Sequence, residues 1–219
     1  MSSKKIDRAL YGPSWTEVIL GAFLSFALGV ALAAATIVLH AELTVRELPK
    51  EPARGAVYYI EGSKDSAKGR QWLRKRQMLN EGSAVTLTED ELNTIFTAPA
   101  PKAKAGAAED AGFLTVGGPN FRLHDGLLQV GVPCTLTLFG VKQPVLVVAT
   151  GSFRKEASGI VFDPETYYVG SLDVGRLPIA SDFITRRIVA TQTVPEDLAA
   201  DWKKLSDVKV ESAGLKLSM

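Results

Sequence analysis

From Val18 to Leu39 the chain carries no charge, and only Ser25 and Thr36 bear a hydroxyl. At about 1.5 Å per residue such a stretch crosses a hydrocarbon core of roughly 30 Å as a helix. The apolar core of a cleaved signal peptide is shorter, about 7 to 15 residues, so Ala33-Ala34-Ala35 is read as part of an anchor and not as a cleavage site. Lys4, Lys5 and Arg8 precede the span, whereas Glu42, Arg46, Glu47, Lys50 and Glu51 follow it in mixed sign. The positive-inside rule then predicts a cytoplasmic N-terminus and an extracytoplasmic domain, in a bacterium on the periplasmic side of the inner membrane. Gly21, Ser25, Gly29 and Ala33 recur every fourth residue. That spacing suits either a lipid-facing Ala-rich helix or weak homodimerisation through Gly21, Ser25 and Gly29.

Beyond the span the hydrophobic period changes several times. Val57 to Ile60 reads as a strand, and Ser66 to Asn80 as a helix with Trp72, Leu73 and Leu79 on its apolar side. The same helix carries Lys68, Arg70, Arg74 and Lys75, a basic face suited to anionic lipid headgroups or simply to solvent. Ala84 to Leu87 is a strand leading into Thr88-Glu89-Asp90-Glu91, the start of a helix with a capping box, in which Asn93 is a surface or cap-side residue. Ala98 to Gly112 lacks large apolar residues and reads as a mobile loop.

The second half alternates with period two. Phe121 to His124 runs into the hairpin dipeptide Asp125-Gly126. Leu128, Val130, Val132, Cys134, Leu136 and Leu138 then share one face of a long strand, returning through Val145 to Phe153 and again from Gly159 to Tyr168. A helix with Ile179, Phe183, Ile184 and Ile188, a second opening at Pro195-Glu196-Asp197, and one last strand from Val208 to Leu217 complete the pattern. The expected class is α+β: a single N-terminal transmembrane helix followed by a curved antiparallel sheet packed against helices. The organisation is a cytoplasmic segment 1–17, a span 18–39, a connector 40–55 and an extracytoplasmic domain 56–219.

Composition narrows the chemistry. A net charge of +1 over 219 residues lacks the basic excess that nucleic-acid binding requires. The lone Cys134 excludes an intramolecular disulfide and any paired-cysteine metal or redox motif. His40 and His124 lie far apart in sequence, Asp163, Glu165 and Asp173 lack the spacing of a calcium loop, and no nucleophile-elbow, P-loop or zinc-protease pattern occurs. The sequence therefore predicts neither catalysis nor a metal or other cofactor. Two non-catalytic readings stay open. In one, Leu128, Val130, Val132, Leu136 and Leu138, with Phe153, Phe162 and Phe183, line an apolar groove for a lipid. In the other the stripe is core, and the anchored domain is a structural or assembly subunit of an envelope protein complex.

Val85-Thr86-Leu87-Thr88-Glu89-Asp90-Glu91-Leu92-Asn93, the strand pair from Phe121 to Phe153, Tyr168-Val169-Gly170-Ser171-Leu172 and Gly175-Arg176-Leu177-Pro178 resemble the small membrane-anchored bacterial proteins of the YpmS type. The resemblance spans about residues 84 to 190 and implies a curved sheet wrapping a helix, reminiscent of lipid-binding folds, with no catalytic residues to carry over. The basic helix and the Ala-rich loop depart from that pattern.

Overall fold

The computed structural model describes residues 12–40, 43–51, 53, 56–96, 114–138, 140–157, 159–175, 184 and 196–219. The apolar stretch is helix α1 (Trp15–Val38). It begins upstream of Val18 because Ser14 and Glu17 form a capping box: the Ser14 hydroxyl accepts from the Glu17 N–H at 3.3 Å, and the Glu17 carboxylate accepts from the Ser14 N–H at 3.2 Å. No residue of α1 is buried by the rest of the chain, so this is not the core helix of a globular domain but a candidate membrane anchor.

The expected connector contains a short strand, β1 (Leu43–Thr44), which pairs in parallel with β2 (Tyr58–Tyr59). The helix expected from Ser66 to Asn80 is two helices, α2 (Ser66–Gly69) and α3 (Trp72–Asn80). Gly69 sits so close to Thr94 that a Cβ there would collide with the Thr94 side chain. Arg70 and Gln71, both in right-handed helical conformation, link the two helices through a tighter turn, with Gln71 N–H donating to the Lys68 carbonyl at 3.1 Å. Next come β3 (Val85–Leu87) and α4 (Glu89–Phe96). The Thr88–Glu91 capping box is present, with Thr88 N–H donating to Glu91 Oε2 at 2.8 Å.

The large sheet is built from β4 (Leu114–Val116), β5 (Asn120–His124), β6 (Leu127–Leu138), β7 (Val141–Glu156), β8 (Gly159–Val169) and β9 (Leu172–Asp173). Its order is β4-β6-β7-β8-β9, with β5 lying on β6 beside β4, and all these pairings are antiparallel. Asp125 and Gly126 take φ of 51° and 77°, the two positive values that a tight hairpin of matching twist demands. A register shift between Thr150 and Gly151 bends β7 against β8. A side chain at Gly151 would strike the Asp163 carbonyl, which is why glycine stands there. The chain ends in α5 (Glu196–Trp202), β10 (Asp207–Glu211) and β11 (Gly214–Ser218), the last two forming a three-stranded sheet with β3 in the order β10-β11-β3. The single strand expected from Val208 to Leu217 is thus a hairpin. Ser212-Ala213 forms its turn, and Gly214 at φ 149° enters β11 against the Leu87 carbonyl.

One face of β6 is buried, as the alternation predicts. At one end of the sheet Leu128 packs with Leu79, Leu92, Ile160 and Leu215; towards the other end Val132 and Cys134 pack with Val147, Ala149 and Tyr167. Val130 touches both groups and joins them into one layer. The opposite face is covered locally by the β2 segment. The Tyr59 ring rests on Gly131, where a Cβ would displace it, and the Gln129 amide donates to the Ile60 carbonyl at 3.0 Å. The loop 98–112 and the stripe Ile179, Phe183, Ile188 lie outside the described residues; Ile184 packs against the second cluster.

Candidate functional site

The polar residues of α4 are spent on the fold. Asn93 is 1% exposed and is neither a surface residue nor a cap. Its Nδ2 donates to the Phe121 carbonyl at 2.7 Å and to the Ser63 carbonyl at 2.8 Å, and its Oδ1 accepts from the Phe121 N–H at 2.7 Å. The side chain thereby pairs with the outer edge of β5 as a neighbouring strand would. Glu89 extends the effect, accepting from the Leu123 N–H at 2.7 Å and the Ser63 N–H at 3.0 Å. Asp90 accepts from the Asp65 N–H at 2.8 Å. Sequence reasoning could have singled out this helix only by the unusual burial of its acids, which no periodicity reveals.

The two faces of α3 differ in what their cations do. On the inner face Lys75 Nζ donates to Glu91 Oε2 at 2.7 Å and to the Thr86 carbonyl at 2.6 Å, while Arg76 Nε donates to Asp201 Oδ2 at 2.8 Å. Lys75 therefore leaves the expected headgroup-binding set: its ammonium is held by a buried carboxylate. Desolvation pushes the Asp201 carboxyl up, but hydrogen bonds from Arg76 and Lys204 more than offset it and hold Asp201 below the usual carboxylate range. Lys68, Arg70 and Arg74 remain exposed. Lys68 lies 3.9 Å from both Asp65 and Asp90.

The proposed groove residues are brought together, but as core. Leu128 and Val132 are 4% and 7% exposed. Phe153 and Phe162 meet edge-on at 5.6 Å between ring centres, and Phe153 also packs on Trp202 at 5.6 Å. Leu136 is half-buried, while Phe183 and the Leu138 side chain lie outside the described residues. Leu128, Val130 and Val132, with Phe153 and Phe162, thus belong to the packed core clusters.

Two clefts lie elsewhere. One, of about 210 Å³, is bordered by Tyr59, Glu61, Lys64 and Asn120. Its Tyr59 hydroxyl donates to Asn120 Oδ1 at 3.0 Å, and burial, reinforced by Glu61, pushes the phenol up to about 12. The other, of about 340 Å³ and mostly apolar, is formed by Thr36, Ile37, His40 and Ser171, where the end of α1 meets the β8–β9 turn. Here Ser171 N–H donates to the Ile37 carbonyl at 3.3 Å and its hydroxyl donates to the His40 carbonyl at 3.2 Å. Gly170, at φ 57°, lies against the Val38 carbonyl with no room for a side chain. The turn thus caps the C-terminal end of α1. The sequence reading missed this contact, although Gly170-Ser171 lies within a segment it had singled out.

Among the described residues, reactive groups are few. Cys134 is buried on the core face, and burial pushes its thiol up to about 11, so it is an inert packing group. His124 sits 3.0 Å from Asp125 at an exposed turn. Among the described residues no three His, Cys, Asp or Glu side chains converge as a metal site would require. No protein-family model matches the chain, and no curated protein or solved structure matches it either. The resemblance to proteins of the YpmS type therefore stands on its short motifs alone, of which Asn93 and Gly170-Ser171 have the structural tasks described above.

Proposed function

We propose that this is a single-pass membrane protein, N-terminus cytoplasmic and domain periplasmic, whose non-catalytic domain serves as a structural or assembly subunit among envelope proteins. The observation that supports this reading is the capping of the anchor by its own domain, through Ser171 on the Ile37 and His40 carbonyls. A scaffold benefits from a fixed angle to the bilayer, whereas a tethered catalyst or carrier works as well on a loose connector. The burial of Leu128 and Val132 supports it as well, because side chains packed in the core are not open to a lipid. A second reading rests on the cleft at Thr36, Ile37, His40 and Ser171, which adjoins the end of the candidate span and offers an apolar niche for one membrane lipid.

Native mass spectrometry of the full chain released in mild detergent separates the two. The assembly reading expects a heteromeric complex without a stoichiometric lipid. One retained lipid per chain and no protein partner would overturn it in favour of the second. The orientation is tested by fusing a periplasm-only reporter after Met219, which should be active; activity of a cytoplasm-only reporter at that position would reverse the topology.

A further inference from the structure

Helix α3 separates its residues by face with little ambiguity. Trp72, Lys75, Arg76 and Leu79 form the inner face: Trp72 and Leu79 join the core, and the two cations are paired with Glu91 and Asp201. The outer face carries Leu73, Arg74, Gln77 and Met78, and Arg70 precedes it in helical conformation. Leu73, 71% exposed, is the most exposed large apolar side chain outside α1 among the described residues, and Met78 is 42% exposed. Arg70 and Arg74 make no ion pair among the described residues, and the acid at this face, Glu81, accepts from Gln77 at 3.2 Å. Exposed apolar side chains set among unpaired cations on one helical face are what an interfacial membrane contact is made of: the former enter the acyl boundary, the latter meet phosphate.

The position of this face is informative. Gly170, beside the anchor, bonds to Leu146 of β7, whereas the cluster that holds Trp72 and Leu79 includes Ile160, which pairs with Lys155 of β7. Along β7, Leu146 and Lys155 lie roughly 30 Å apart at about 3.3 Å per residue, so the cluster that holds Trp72 and Leu79 reaches well away from the α1 junction. We infer that the outer face of α3, through Leu73, Met78, Arg70 and Arg74, is a second membrane contact that binds the anionic lipid surface of the same bilayer that holds α1, so that the domain reclines with its long strands along the membrane. The chain's own anchor supplies that bilayer at high effective concentration, and the charge of the face matches anionic headgroups. The inference rests only on the membrane-anchored part of the proposed function.

The test uses the full chain in lipid nanodiscs, with an environment-sensitive fluorophore on Leu73→Cys. Buried Cys134 does not compete for the label. In discs containing phosphatidylglycerol the emission should shift to the blue and be quenched by nitroxide-bearing lipid; in pure phosphatidylcholine discs, or in high salt, both effects should vanish. Arg70→Gln and Arg74→Gln should each weaken the contact about fivefold, as expected for a basic residue near an anionic surface. Leu28→Cys, labelled in the same way, is the control for the anchor: it should be quenched in every disc, and failure there would sink the membrane reading itself. Quenching at Leu28→Cys without any at Leu73→Cys overturns the second contact. A response at Leu73→Cys that appears only when anionic vesicles are added to protein held in neutral discs overturns the claim for the same bilayer, and a response equal in neutral and anionic discs overturns the role of Arg70 and Arg74.

Discussion

Asn93 and Phe121 are 28 residues apart, yet one side chain satisfies both backbone polar groups of the other residue at 2.7 Å each. The edge of β5 is thereby closed by a helix, a way of blunting an exposed strand edge that avoids further pairing. Removing the amide leaves buried N–H and C=O groups without it. Asn93→Ala should cost about 3 kcal/mol, given about 1–3 kcal/mol for each buried group that loses its partner. Chemical denaturation of the full chain measures this; a loss below 1 kcal/mol, about the worth of an ordinary hydrogen bond, would mean that the clamp is incidental.

The Arg76–Asp201 pair predicts an acid-sensitive step. Asp201 has a depressed pKa in the folded state, so its contribution is complete above the unfolded-state value of about 3.9 and is lost as pH falls through the lower folded value. Asp201→Asn should therefore lower stability at neutral pH, by about 1.5–3 kcal/mol for hydrogen bonds to a charged group, and the difference from the native chain should shrink below pH of about 4. Melting temperatures followed against pH would show it. A difference that does not change with pH would refute the assignment.

Val132 and Thr135 lie on opposite faces of β6, the first 7% exposed in the core and the second half-buried beside Pro144 and Thr115. Val132→Asp places a carboxylate in an apolar cluster and should prevent folding, whereas Thr135→Asp should leave a folded chain with a lower melting point. Circular dichroism of both variants decides the register, and equal tolerance would show it to be wrong.

Cys134 provides an internal reporter. With its thiol buried and raised to about 11, it should resist alkylation at neutral pH until the chain is unfolded by denaturant. Rapid labelling of the native protein would place that strand face in solvent.

The elements governed by period and turn chemistry were legible in the sequence: the long apolar helix α1, the alternating face of β6, the Asp125-Gly126 hairpin and the Thr88–Glu91 cap. What escaped it depends on contacts between distant segments. The break between α2 and α3 falls beside Gly69, which packs on the distant Thr94, and the withdrawal of Lys75 from the surface follows from Glu91 being buried beneath it. Asn93 looks the same in sequence whether it meets water or the edge of a strand. The stripe on β6 is limited in the same way: it shows that a face is buried, not whether protein or ligand buries it. The capping of α1 by Gly170 and Ser171 joins residues more than a hundred positions apart and leaves no local pattern at all.

That junction carries the account, and a distance between anchor and domain tests it most directly. Spin labels on Leu28→Cys and Glu165→Cys, in the full chain in nanodiscs, place one probe in α1 and one on an exposed position of β8. Pulsed electron resonance should give a single narrow distance distribution. Gly170→Val, which forces a side chain against the Val38 carbonyl, should broaden it while Cys134 stays protected from alkylation. A broad distribution in the otherwise native chain, unchanged by Gly170→Val, would mean that the domain swings freely on its anchor and would contradict the reading of a fixed scaffold.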